Sequence, residues 1–192
     1  RATLFMVLQT AFSILLARLG AGSSIALGSP IAARPDEELH KIVGYFANTL
    51  VLHTDTANNP RFVDLLAQVK KSTLNAFKHQ DLPFDVLVNT LSPSRSLAYH
   101  PLFQIMFALQ NNAPAGFEIP GLRASLDMVD TTVAKFDLML NMLEAPKNGK
   151  PSLSAKLEYA SALFDEASIV QLAQRFQKIL ESIVAQPLQN IQ

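Results

Sequence analysis

Four histidines, His40, His53, His79 and His100, are the side chains most ready to exchange a proton near neutral pH. None stands one helical turn from another histidine or from a paired acid in a way that makes a metal site. His79-Gln80-Asp81 admits two readings. Asp81 could hold the imidazole for acid–base work, or His79 could close one helix beside the N-cap of the next; the second asks less of the sequence and is preferred. His100 precedes Pro101 and opens an apolar run, so it too reads as structural. No Gly-x-Ser-x-Gly elbow presents a serine nucleophile. Cysteine is absent, which removes thiol nucleophiles, thiolate metal sites and disulfides together. Asp137, Glu144 and Glu158 flank predicted strands and could face a cleft, but a solvated sheet face is the preferred account. On these grounds the chain carries no complete catalytic set and no metal site.

The elements that would position these groups are easier to read. The chain has 192 residues, a size for one domain that buries roughly 70% of its unfolded surface. Lysine plus arginine equals aspartate plus glutamate at 16 each, so no net field exists to draw nucleic acid or anionic lipid. A reducing, cytoplasmic setting is the expectation without cysteine. Arg1 opens straight into an apolar segment, as expected of a piece of a longer polypeptide. Within residues 2–19, Leu4, Phe5, Leu8, Phe12, Leu15, Leu16 and Leu19 follow helical spacing, with Gln9, Thr10, Ser13 and Arg18 between them. That pattern predicts a buried helix rather than a leader or a membrane span. It ends at Gly20-Ala21-Gly22, and this Gly-x-Gly follows a helix, the wrong context for a dinucleotide fingerprint.

Ile42 to Leu52 is the most apolar run, interrupted only by Gly44, Asn48 and Thr49. It predicts a strand buried on both faces at the centre of a sheet. Gly44 suggests a bulge or a close backbone approach, and Asn48 needs partners or a wet cavity. Ahead of it, Ile25–Ala33 predicts a strand with a bulge or kink at Gly28-Ser29-Pro30, and residues 34–38 a solvated turn. Beyond it come a turn at Asn58-Asn59-Pro60, an amphipathic helix from Phe62 to about His79, and a helix with Asp81 near its N-cap and Pro83 in its first turn. Pro101–Leu109 predicts a second central strand. Leu122–Met128 and Phe136–Leu143 predict further strands, and Asn148-Gly149 a hairpin turn. Leu153–Tyr159 predicts a return strand with one wet face, and Asp165 caps a last helix whose inward face runs from Ile169 to Val184. The pattern is α/β, a mixed sheet covered by helices.

Three segments then carry a family likeness. Ile42-Val43-Gly44-Tyr45-Phe46-Ala47-Asn48-Thr49-Leu50 resembles the V-G-x-F-x-N-T motif of condensation domains in non-ribosomal peptide synthetases. His79-Gln80-Asp81-Leu82-Pro83-Phe84-Asp85 resembles their H-Q-D-x-P-F-E motif. Arg95-Ser96-Leu97-Ala98-Tyr99-His100-Pro101-Leu102 resembles R-D-x-S-x-x-P-L and continues into an F-Q-x-x-F strand. All three stand in family order, and the similarity runs from the first helix to the last. Asp85 replaces a common Glu, Ser96 a common Asp and Tyr45 a common Phe. The family's H-H-x-x-x-D-G motif is missing, since the chain has no His-His pair.

The resemblance implies a chloramphenicol-acetyltransferase-like lobe, residues 1–192 forming the second, C-terminal lobe of a two-lobed condensation domain. Its expected partners are the N-terminal lobe, donor and acceptor carrier proteins and an adjoining adenylation domain. No cofactor is expected to bind directly; the 4′-phosphopantetheine arms of the carriers tether the substrates. The implied chemistry is amide formation in a tunnel between the lobes, with this lobe supplying one wall and no catalytic histidine, hence inactive alone. Gly44 and Asn48 are expected on the tunnel side, His79, Asp81, Pro83, Phe84 and Arg95 as scaffold, and part of 111–145 as a segment crossing to the other lobe. Epimerisation or cyclisation members of the superfamily, and a catalytically dead platform that recruits a partner enzyme, share the same resemblance.

Overall fold

The computed structural model describes residues 1–34, 36–91, 99–110, 118–119, 121–123, 133–144 and 152–192. The hairpin turn expected at 146–150, Arg95 and about half of the segment 111–145 expected to supply the crossover lie outside them. The elements are α1 (Leu4–Arg18), β1 (Ser24–Ile31), a 3₁₀ turn (Glu37–Lys41), β2 (Asn48–Asp55), α2 (Phe62–Lys78), α3 (Phe84–Leu91), β3 (Ile105–Gln110), β4 (Glu118–Ile119), β5 (Leu122–Arg123), β6 (Leu138–Glu144), β7 (Leu153–Tyr159) and α4 (Glu166–Ala185). Five strands form a mixed sheet in the order β2-β1-β3-β6-β7. β3 is parallel to both its neighbours, and the outer pairs β1–β2 and β6–β7 are antiparallel. β4 and β5 make a separate antiparallel pair.

The predicted first helix is the keel of the fold. Thr3 caps α1 by accepting from the Met6 N–H at 3.3 Å, and the chain leaves it through Gly20 at φ 95°, a conformation that suits glycine. Met6, Leu8, Ala11, Phe12, Ile14, Leu15 and Leu16 are all buried, because α1 lies on the sheet with α2 and α4 on either side. Its apolar residues join Leu65 and Val69 of α2, Phe176 and Ile179 of α4, and Leu27, Phe107, Leu138 and Leu140 of the sheet in one core. Each such side chain contributes about 1.5–3 kcal/mol by leaving water. Two buried polar residues of α1 find partners on neighbouring elements, Ser13 Oγ donating to Thr54 Oγ1 of β2 at 3.2 Å and Gln9 Oε1 accepting from Thr73 Oγ1 of α2 at 3.0 Å, while Gln9 Nε2 is buried with no partner among the described residues. Among the described residues, no helix is long and apolar enough to cross a membrane.

Three expectations are corrected. The run Ile42–Leu52 is not the sheet centre. Only Asn48–Leu52 enters a strand, and β2 is an edge paired with β1; the centre is β3, expected from Pro101 but starting at Ile105 after Leu102 turns at φ 69°. Ile42 to Ala47 form a loop on the surface, so their apolar character does not correspond to burial within this chain. β1 shows no bulge, since its register with β2 is continuous through Gly28, Ser29 and Pro30. Gly28 serves another purpose: a Cβ there would stand 2.2 Å from the buried Phe103 ring, so the missing side chain seats that ring against the open face of the sheet. At the far end Val184 is exposed rather than inward, and an apolar groove of about 510 Å³ runs between α4 and β7, lined by Met142, Leu153, Leu157, Val170 and Phe176 among others.

Gly28→Ala should destabilise the chain by about 1–3 kcal/mol through overpacking against Phe103. Urea unfolding measures this, and pairing the change with Phe103→Leu should recover part of the loss. A second outcome concerns Asp165, whose carboxylate caps α4 by accepting from the Ser168 N–H at 2.7 Å and from its hydroxyl at 3.0 Å. These bonds lower its pKa below the usual carboxylate range. The stabilisation is therefore present above the unfolded carboxyl range and lost as pH falls through the depressed folded value. Wild type should melt slightly above Asp165→Asn at neutral pH and converge with it under acid conditions, the gap being small because asparagine also caps and reduced by salt because the group is exposed.

Candidate functional site

The three motif segments meet at one junction. Asn48, the first residue of β2, donates from Nδ2 to the Gln80 and Leu82 carbonyls at 2.9 and 2.8 Å and accepts at Oδ1 from the Phe84 N–H at 3.1 Å. One amide thus holds the turn between α2 and α3 and caps the start of α3. The cap was expected near Asp81. Asp81 is exposed, and the capping group arrives instead from a strand 36 residues earlier in sequence. Pro83 suits the position before α3 because it has no N–H to satisfy.

Phe84 passes this placement on to the third segment. Its ring stacks on His100 at 5.5 Å and meets Phe103 edge-on at 5.7 Å. His100 lies 4.4 Å from the Phe103 ring and 5.3 Å from Phe136, and Phe103 also contacts Phe136 at 5.7 Å. His100 Nδ1 lies 3.0 Å from the Pro101 carbonyl, which can only accept, so Nδ1 is the donor in that contact. The box closes under Gly28.

On the other side of Asn48, Arg34 folds the exposed loop. Its Nη1 donates to the Leu39 carbonyl and, at 2.9 Å, to that of Ile42; Nη2 reaches the Gly44 carbonyl at 3.4 Å. The guanidinium carbon sits 4.1 Å over the Phe46 ring. A Cβ on Gly44 would stand 3.0 Å from that ring, so Gly44 leaves the space in which Phe46 folds back under the arginine.

The sequence candidates fall into place as follows. Asn48 and Phe84 are joined by the junction, and Gly44 lies on the loop beside it. His79 is the exposed C-cap of α2, and no hydrogen bond joins it to Asp81. Pro83 is exposed at the turn, and Arg95 lies outside the described residues. Sequence reasoning missed Arg34 and Phe103; the Phe-Gln run marked the latter as a strand residue, but nothing marked its packing on Gly28. It also missed an exposed Ser24 Oγ–His53 Nε2 pair at 2.8 Å, brought together only by strand pairing. Among the described residues, no group of three or more acids and histidines could hold a metal. The junction positions backbone and rings; it presents no nucleophile with a base and an oxyanion site.

The condensation-domain family profile matches residues 1–192. The chain belongs to the condensation-domain family. This condensation-domain chain is 48% identical over 192 residues to a probable nonribosomal peptide synthetase, CymA, of Salinispora arenicola, covering 99% of the chain and 2% of that protein. It is 46% identical over 193 residues to a dimodular nonribosomal peptide synthase of Bacillus subtilis, covering 100% of the chain and 8% of the relative. The chain therefore spans a small fraction of these relatives. Among solved structures, the X-domain from teicoplanin biosynthesis superposes with a TM-score of 0.91 at 28% identity, over 99% of this chain and 43% of the X-domain. The same domain in complex with OxyB gives 0.88 over 42% of its length.

Asn48→Ala should cost this condensation-domain chain about 1–3 kcal/mol, since it leaves two carbonyls and the α3 N-terminus short of partners. Asn48→Asp keeps the acceptor for Phe84 but turns a carboxylate towards two carbonyls, and should lose at least as much at neutral pH. Hydrogen exchange checks the locality: protection should fall first at residues 79–85 and leave α1 unchanged.

Proposed function

We propose that residues 1–192 are the C-terminal lobe of a peptide-synthetase condensation domain, forming one wall of the tunnel in which a carrier-bound amine meets a carrier-bound thioester. The observation that carries this reading is one of extent. The whole chain superposes on less than half of a single X-domain, as one lobe of a two-lobed domain would. The motif order supports it, as do an apolar loop and an apolar groove that nothing among the described residues covers.

In this reading the acceptor amine adds to the donor thioester carbonyl. The C–N bond forms, the C–S bond breaks, and the donor arm departs as a thiol with the proton given up by the nitrogen. Both reactants arrive on 4′-phosphopantetheine arms of carrier proteins, and the lobe contributes alignment, which can be worth about 7–11 kcal/mol in well-oriented systems. Asn48 and Gly44 then shape the tunnel side through the turn and loop they hold. His79, Asp81, Pro83, Phe84 and Arg95 serve as scaffold, and no residue of this lobe is assigned a proton transfer. The N-terminal lobe, both carriers and an adenylation domain are the partners.

A second reading, a platform that recruits a separate enzyme to a carrier-bound peptide, is favoured by the X-domain likeness, because that domain has been solved with OxyB. One experiment separates the two. The parent polypeptide and residues 1–192 alone are each mixed with carriers loaded with donor and acceptor thioesters, and products are read by mass spectrometry in single turnover. Amide product from the parent and none above background from residues 1–192 is the expected result. Turnover by residues 1–192 alone would sink the lobe assignment. An inactive parent that binds a partner enzyme would establish the platform.

A further inference from the structure

We infer that the cleft between the end of α1 and the middle of α4 binds a small phosphate monoester carrying an apolar group. This site lies in the helix layer, and its assignment does not depend on the lobe reading above. The cleft measures about 360 Å³. Leu15, Leu19 and Ile179 give it apolar walls, Arg18, Arg175 and Lys178 bring three cations to it, and Ser182 adds a hydroxyl. Leu15 and Ile179 belong to the buried core, so those walls are fixed before any ligand arrives.

The cations lack the partners that would account for them. Lysine and arginine are ordinary on an exposed helix face, and an arginine in the last turn of α1 suits the negative end of that helix. Arg175 and Lys178 stand in the middle of α4, beyond the reach of either helix end. One turn apart on the same face, they repel each other, and Arg18 adds a third positive charge from α1. No acid lines the cleft. Glu181, one turn beyond Lys178, accepts from Gln177 Nε2 at 2.9 Å instead, and Gln177 borders the other groove of α4, against β7. Among the described residues neither Arg175 nor Lys178 has an ion pair or hydrogen bond. Arg18 Nε donates to the Ile191 carbonyl, which steadies the guanidinium and leaves both Nη groups for a ligand. Capping of α1 does not occupy them either. The Leu15, Leu16 and Ala17 carbonyls already accept from the N–H groups of Leu19, Gly20 and Ala21.

A phosphate monoester answers this arrangement. It carries about two negative charges and three strong acceptor oxygens near neutral pH, against three cations and a hydroxyl. The planar fork of arginine matches two phosphate oxygens at once, and lysine adds a point charge. The leucines and Ile179 seat the rest of the molecule, a contact that inorganic phosphate would leave unmade. With no net charge on the chain, the attraction is local to the cleft.

The test titrates the 192-residue chain by calorimetry with 1-naphthyl phosphate, 1-naphthol and inorganic phosphate in turn. The phosphate ester should saturate a single site and raise the melting midpoint, with the other two probes weaker by about tenfold or more. Arg175→Gln with Lys178→Gln should weaken the ester by about tenfold or more, and Arg175→Gln alone by part of that. Both variants should keep their circular dichroism and melt no lower than wild type, because removing like charges relieves repulsion. Lys71→Gln, which removes an exposed cation of α2 outside the cleft, should bind as wild type does. The site is disproved by 1-naphthol binding as tightly as its ester, which reports apolar contact only. Inorganic phosphate matching the ester reports an adventitious ion only, and overturns the assignment as well. So does undiminished binding in the folded Arg175 and Lys178 variants, an equal loss in Lys71→Gln, or the absence of saturable binding.

Discussion

A single carboxamide carries the geometry of the site. Asn48 has two donors and an acceptor on one rigid plane, and it spends all three on backbone groups of the α2–α3 turn. Two of those groups are turn carbonyls outside both helices and the third is the orphan N–H at the start of α3, and all must find partners somewhere. Because the partner belongs to a strand, the turn cannot shift without pulling the sheet edge. Phe84 is placed by the same bond, and through it His100, Phe103 and Phe136 are packed against the open face beneath Gly28. A motif of neighbouring residues thereby becomes a junction among distant ones.

The two faces of the sheet are treated unequally. One is dry, closed by α1, α2 and α4 through a continuous apolar core. The other carries an aromatic box over β1. The β7 edge faces an apolar groove towards α4, and the Arg34-held loop stands ahead of the β2 edge. This division suits a body whose stability comes from within and whose function comes from what it meets.

Legibility followed physical range. Helix α1 was readable because apolar spacing sustained over four turns fits a helix and no strand, and the Asp165 cap because its hydrogen bonds are local. The Phe62 helix followed from periodicity in the same way and the β6–β7 pairing from the runs flanking Asn148-Gly149, but β7 does not show the expected alternation, since Leu153, Ser154, Ala155 and Lys156 are all exposed. The run from Ile42 was misassigned for a definable reason. Hydropathy reports that a residue avoids water, not where in the fold it comes to lie, and an apolar loop can have the composition of a buried strand. Asn48 was noticed as an amide in need of partners, but their identity depended on 36 residues of intervening path. Arg34 left no local mark, since its partners are backbone carbonyls that every residue supplies.

By itself the sequence determined the α/β class, the order of the helices, the membership of the condensation-domain family through three ordered motifs, and the absence of a thiol or His-His pair. These rest on periodicity, composition and local spacing, which are properties of neighbours along the chain. Only the tertiary structure decided that β3 and not the Ile42 run is the sheet centre, that Gly28 makes room for Phe103, and that one asparagine fastens the motifs together. Those are contacts between residues far apart in sequence, settled by strand order and by which side chains reach the same place.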